Sequence, residues 1–214
     1  MSYERVVTKD GSITYRNLAI DETMHSLSGA KEEAQKKYVE ALGIAQYAKV
    51  SILDVGFGLG YNTAAALDIF LSKKGAITVV ALEKDAAVFD LIFQTDASFV
   101  SYSLIKKVAS AKDHRHIEKN CDVSIILGDA TKTLPKLQSI FDLCFFDPYS
   151  PPKNPELWTG TFFKRVFDKL VPKGKLATYS CARHVRENLL TAGFLVSDGP
   201  IVGRRGPSTI AVKP

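Results

Sequence analysis

The chain has 214 residues, 46% of them apolar, which suits one globular domain with a sizeable core. Its net charge of +5 favours a polyanionic partner without requiring one, because a solvated lysine-rich face gives the same balance. No run of 18 apolar residues is present to span a membrane, and Cys121, Cys144 and Cys181 lack metal-ligand spacing.

The start, Met1-Ser2-Tyr3-Glu4-Arg5, carries an acid with no apolar run behind it and does not read as a signal peptide. A cytoplasmic, metal-free chain with reduced thiols is expected. Ser12-Ile13-Thr14-Tyr15 alternates after a turn at Asp10-Gly11, so residues 1–20 predict two short strands, and 28–43 predict a helix ending near Gly43. A first buried strand covers Val50–Val55, with a glycine loop and a helix over Asn62–Ser72 behind it. Ala76–Leu82 is the second, followed by helical segments from Ala86 to about His116, with Lys112–His116 as an exposed helix end. Asp122–Leu127 precedes a short helix at Thr131–Leu137, and Phe141–Phe146 precedes a helix from Pro155 to Leu170. Lys175–Ser180 precedes a helix at Ala182–Ala192, and two last strands, Phe194–Ser197 and Ser208–Val212, form a hairpin.

Strands alternating with helices imply an α/β fold with a parallel sheet covered on both faces. The arrangement is similar to the seven-stranded, Rossmann-like sheet of class I S-adenosylmethionine (SAM)-dependent methyltransferases, with its C-terminal antiparallel hairpin. That domain is expected over residues 46–214, and residues 1–45 as an N-terminal extension of β-hairpin and helix. Ligands in such sheets lie beyond the carboxyl ends of the strands.

Asp54-Val55-Gly56-Phe57-Gly58-Leu59-Gly60 follows the first buried strand. Its glycines allow a sharp turn and leave room for a ligand against the backbone. Tyr61 stands where a dinucleotide fingerprint needs its third glycine, which disfavours a nicotinamide cofactor. The pattern resembles the SAM loop of class I methyltransferases. That resemblance implies cofactor contacts at Asp54, Gly56, Gly58, Gly60 and Asn62. Glu83 ends the second strand, where a carboxylate accepts ribose hydroxyls, and Lys84 follows it. Gly128-Asp129-Ala130 ends the third; there the resemblance implies an adenine contact, while Asp129 is equally a helix N-cap.

The fourth strand opens into Asp147-Pro148-Tyr149-Ser150-Pro151-Pro152-Lys153-Asn154-Pro155-Glu156-Leu157-Trp158, a loop stiffened by four prolines. With Leu176-Ala177-Thr178-Tyr179, Ala192-Gly193-Phe194 and Gly203-Arg204-Arg205, this loop resembles the methyltransferase domain of the bacterial MnmC proteins. The resemblance covers most of the chain. It implies N-methylation of 5-aminomethyl(-2-thio)uridine at the tRNA wobble position, with SAM as cofactor and tRNA as partner. The length leaves no room for the flavin oxidase domain of the fused proteins, and a monomer is expected.

The family usually carries Gly-Phe-Ala after the acid. Here Pro148-Tyr149-Ser150 stands instead, partly like the Asp/Asn-Pro-Pro-Tyr loop of amino-methylating enzymes. Asp147, Pro148 and Tyr149 are therefore the candidate catalytic group, with Asp147 also beside the cofactor. A primary amine is mostly protonated in water, so a dry site and an acceptor for its N–H are needed. Tyr149 and Trp158 are candidates to stack on an extruded base, or else loop packing. Lys153, Arg183, Arg186, Arg204 and Arg205 are candidate phosphate contacts. Met24-His25-Ser26 and Glu33 resemble a segment closing over the cofactor, which makes Ser26 and Glu33 candidate contacts. Another class I amine methyltransferase, an aminopropyltransferase, or a tRNA-binding module without chemistry remain the alternatives.

Overall fold

A computed structural model describes residues 3–73 and 75–214, so Met1 and Ser2, part of the expected first strand and of the leader reading, lie outside the described residues. The chain opens with β1 (Tyr3–Val7), β2 (Ile13–Asn17) and β3 (Glu22–Thr23), an antiparallel sheet in the order β1-β2-β3. The expected hairpin therefore has a third strand. This sheet shares a core with the rest of the chain: Ile13 and Tyr15 pack in one buried cluster with Phe57 and Tyr61.

The helix after it starts as α1 (Ala30–Glu33) and continues over Ala34–Glu40 with π-type bonding before Gly43 turns the chain at φ +69. The main sheet has eight strands, one more than the sequence predicts. β4 (Lys49–Val55), β5 (Ala76–Glu83), β7 (Cys121–Leu127), β8 (Phe141–Phe146) and β9 (Leu170–Thr178) are parallel; β6 (Arg115–Glu118), β10 (Leu195–Asp198) and β11 (Thr209–Val212) are antiparallel. The order is β10-β11-β9-β8-β4-β5-β7-β6.

The additional strand is β6. Its residues Arg115 and His116 fall inside the stretch expected as a helix end. They pair instead with β7 across a turn at Lys119-Asn120, with Lys119 at φ +55. A two-residue turn lacking the usual Asn-Gly or Asp-Gly pair gives no hairpin signal in the sequence. Helices α2 (Tyr61–Leu71), α3 (Ala87–Gln94), α4 (Tyr102–Ser110), α5 (Ala130–Thr133), α6 (Gly160–Asp168) and α7 (Arg183–Thr191) complete the fold. Two apolar clusters cover the sheet: Leu59, Phe70 and Ile105 belong to one, Phe146, Phe163 and Leu189 to the other. None of the described helices is long and apolar enough to cross a membrane.

The chain adds β5 and β7 on one side of β4, then returns to place β8 and β9 on the other. The reversal falls between β4 and β8, where open α/β sheets hold their ligands.

Candidate active site

Backbone meets backbone at that reversal. Gly56, at φ +86, donates its N–H to Leu82 O (3.1 Å), and Asp147 N donates to Val55 O (2.9 Å). A Cβ on Gly56 would stand 2.8 Å from the carbonyl of Asp147 and from Cα of Pro148. Any side chain there would push the two loops apart.

Glu83 closes the next strand and reaches back under the glycine turn. Its Oε2 accepts from Gly58 N (2.8 Å), and its Oε1 from Lys84 N (2.7 Å) and Asp85 N (2.8 Å). Burial raises its pKa against those three amide bonds. Asp129 caps α5: Thr131 donates to its Oδ1 through both backbone N (2.9 Å) and hydroxyl (2.7 Å), and the hydroxyl bond contributes most to lowering its pKa. Gly56, Gly58, Glu83, Lys84, Gly128, Asp129, Ala130, Asp147, Pro148, Tyr149 and Lys153 line one cleft.

Other predicted residues stand behind it. Asp54 is 1% exposed and accepts Thr63 Oγ1 (2.7 Å) on Oδ2, and burial pushes its pKa up to about 7. Asn62 donates Nδ2 to Asp147 Oδ2 (2.8 Å). Asp54 Oδ1 and Asn62 Oδ1 are buried acceptors without a partner among the described residues. Gly60 turns the chain into α2 against the Phe57 ring. Ser26 and Glu33 also lie behind the lining: Ser26 N donates to Glu33 Oε2 (2.8 Å), and Lys37 Nζ to Glu33 Oε1 (2.6 Å). His25 does face the cleft. Burial pushes its pKa down to about 4, so the ring is neutral at pH 7, held by Thr14 Oγ1 (3.0 Å) and stacked on Tyr61.

Asp147 is held from two elements. Tyr38 donates to Oδ1 (2.5 Å) from the π-bonded segment, and Asn62 takes Oδ2 from α2. Burial, and then the charge of Glu33, raise the carboxyl well above the usual range. The loop beyond is pinned at every step. Tyr179 donates to Pro148 O (3.2 Å), Trp158 Nε1 to Tyr149 O (2.8 Å), and Ser150 N and Oγ to the two oxygens of Glu22 (2.8 and 2.5 Å). Burial pushes the pKa of Tyr149 up to about 12, against the neighbouring polar groups of Tyr3 and Asn17.

Three candidate substrate contacts land elsewhere. Trp158 is 2% exposed, its ring packed edge-on to Phe146 and Tyr179, so no face is open for a base to stack on. Arg186 is tied to Asp198 (2.7 Å), Thr209 and Ser208 O, which locks α7 to the C-terminal hairpin and occupies its donors. Arg183 is exposed and pairs with Glu187 (2.8 Å). Arg204 and Arg205 are exposed on a loop whose Gly203 sits against Ser28, and Arg204 faces Tyr179. Tyr3, Asn17, Glu22 and Tyr38 carry no motif that would have marked them, and Tyr179 was marked only as part of the family resemblance; folding brings Tyr3 and Asn17 to the cleft and the other three onto the loop from Asp147 to Ser150.

An open α/β sheet with a glycine turn and acids at three strand ends defines a nucleoside-type cofactor site. Residues 82–214 match the family described as S-adenosyl-L-methionine-dependent methyltransferase. The chain is 31% identical to MJ0670 of Methanocaldococcus jannaschii, covering 97% of this chain and 59% of that protein. It is 30% identical to the tRNA 5-methylaminomethyl-2-thiouridine biosynthesis bifunctional protein MnmC of Ralstonia nicotianae, covering 91% of this chain and 32% of that one. Among solved structures, MnmC2 from Aquifex aeolicus superposes with a TM-score of 0.86 at 31% identity, over all of this chain and 72% of that one. The chain thus spans about three fifths of the first relative and a third of the second. It belongs to the S-adenosyl-L-methionine-dependent methyltransferase family and is MnmC-like across the whole sheet. SAM is its cofactor.

Proposed function

We propose that this chain transfers a methyl group from SAM to the primary amine of 5-aminomethyl(-2-thio)uridine at the tRNA wobble position. The observation that carries the proposal is the Asp147-Pro148-Tyr149-Ser150 turn, clamped from Tyr38, Asn62, Tyr179 and Glu22 at the carboxyl end of β8. The names of the MnmC relatives direct the choice of amine.

The residues fit the cofactor. Asp54 Oδ1 and Asn62 Oδ1 are the unsatisfied acceptors that a buried ammonium uses, and the bare face of Gly56 is a cradle that a Cβ would fill. Asp54, Asn62 and the turn at Gly56, Gly58 and Gly60 would hold the amino-acid end, with Ser26 and Glu33 bracing the segment above. Glu83 and Lys84 would hold the ribose, and Gly128, Asp129 and Ala130 the adenine. When bound, SAM supplies an electrophilic methyl group.

The chain's own residues then do three things. The N-terminal sheet, through Tyr3, Asn17, Met24 and His25, roofs the cleft and excludes water, which lowers the pKa of a bound amine. Asp147 and the free lone pair on Pro148 O accept the amine N–H groups and orient the nitrogen; with its raised pKa, Asp147 is a better proton acceptor than an ordinary aspartate. Alignment on this pinned loop is the main source of rate. Tyr149 would stack on the base, while Lys153, Arg204 and Arg205 would meet phosphates.

The test incubates the protein with labelled SAM and tRNA carrying or lacking the aminomethyl group, followed by digestion to nucleosides. Label is expected in the methylaminomethyl nucleoside only, and to be lost in Asp147→Ala. Label absent from that nucleoside, with SAM still bound, rejects the substrate.

A further inference from the structure

The helix that delivers Tyr38 departs from α geometry. Residues Ala34–Glu40 are π-bonded, i to i+5, a rare arrangement that recurs at functional sites. Its effect here is on register. In an α-helix, at 3.6 residues per turn, Tyr38 would sit roughly 140° round the axis from Glu33. With the wider turn, Glu33, Lys37 and Tyr38 all face inward, at 6%, 2% and 0% exposure.

The two consequences differ. Lys37 and Ser26 N occupy both oxygens of Glu33, so that acid is spoken for. The Tyr38 ring passes edge-on to Phe145 (5.8 Å) and sets its hydroxyl on Asp147 Oδ1 (2.5 Å). Asn62, from α2, holds Oδ2. Donors from two separate elements therefore fix the plane of the carboxylate, and each oxygen keeps a lone pair.

We propose that Tyr38 is a positioning residue for methyl transfer, its hydroxyl fixing the lone-pair direction of Asp147 against the acceptor nitrogen. The assignment rests on the amine-transfer chemistry proposed above. It adds a residue outside the strand-end motifs and gives the π-bonded segment a purpose.

The charged and titratable groups facing Asp147 are Glu33 with its partner Lys37, Tyr38 from the same segment, Asp54 of β4, and Tyr179 beyond β9, which in turn faces Arg204. Burial and Glu33 raise the Asp147 pKa; the bonds from Tyr38 and Asn62 lower it. Deleting the Tyr38 hydroxyl must therefore raise it further.

The variant is Tyr38→Phe in the full chain, which keeps the ring and its packing. Three readouts are compared with wild type: kcat and KM on aminomethyl tRNA from about pH 5.5 to 9, affinity for S-adenosylhomocysteine, and the 13C titration of the Asp147 carboxyl, assigned with Asp147→Asn. A hydrogen bond to a charged group at the reacting centre predicts a fall in kcat of roughly 10- to 100-fold. Cofactor affinity is expected to stay within about threefold, and the acid limb of kcat and the carboxyl midpoint to move up together. An unmoved midpoint overturns the proposal whatever the substrate, and so does lost kcat with an unshifted profile. If the midpoint rises but wild type leaves the tRNA unmethylated, the Tyr38–Asp147 coupling stands and the tRNA substrate falls.

Discussion

Asp54→Asn should stabilise the ligand-free protein, and by an amount that grows with pH. Asp54 is fully enclosed, and burial outweighs the Thr63 hydrogen bond, moving its pKa from 3.8 to about 7. The folded state therefore binds this proton more tightly than the unfolded chain does. Stability from this group is full below pH 3.8 and is lost as pH rises through 7. At about 1.36 kcal/mol per pH unit the whole loss is on the order of 4 kcal/mol, more than half of it between about pH 5 and pH 8. The amide isostere has no charge to desolvate and still accepts from Thr63. Urea unfolding of both proteins at the two pH values measures the difference. With a slope of about 2 kcal/mol per M, the variant's midpoint should gain about 1 M on wild type between them. Midpoints that move in parallel would show that Asp54 titrates as an ordinary surface acid, and the burial argument would fail. SAM should shrink the gap, since an ammonium beside Asp54 favours its charged form.

Gly56→Ala places a methyl group 2.8 Å from the Asp147 carbonyl and demands φ +86 of an alanine. The loop carrying Asp147 must retreat, and a displacement approaching 1 Å predicts about a 100-fold loss of kcat; unchanged single-turnover rates would refute the close approach. Lys37→Met leaves Glu33 charged and buried at 8% side-chain exposure, predicting a loss of about 3–5 kcal/mol in urea unfolding. Most of that loss should return in the double variant with Glu33→Gln, and a wild-type midpoint for the single variant would mean the pair is effectively solvated.

The parallel strands were legible because each carries a short, mostly apolar stretch between turn or helix signals, as burial in a parallel sheet demands. Their C-terminal punctuation, Gly56-Phe57-Gly58, Glu83, Gly128-Asp129 and Asp147, was legible because glycine turns and acids at strand ends have few other uses together. β6 was not legible: Arg115–Glu118 is polar, its turn lacks glycine, and its strand character comes only from pairing with β7. The π-bonded register of Ala34–Glu40 was hidden for a related reason, since its residues suit an α-helix equally well. Trp158 misled because an aromatic in a proline loop looks the same whether its ring turns inward or out. Here its N–H is satisfied by Tyr149 O and its ring by the α6 cluster. Arg186 misled likewise, its charge being claimed by Asp198.

By itself, then, the sequence determined the order of elements, the strand-end acids, the glycine turn and the family resemblance, because these are local patterns set by backbone and solvent. The tertiary structure decided which side chains converge on Asp147. Tyr38, Asn62 and Glu33 stand 109, 85 and 114 positions from it along the chain, and no local rule links such separations. They meet because the sheet reverses direction between β4 and β8, and because the N-terminal segment shares that sheet's core instead of folding apart from it.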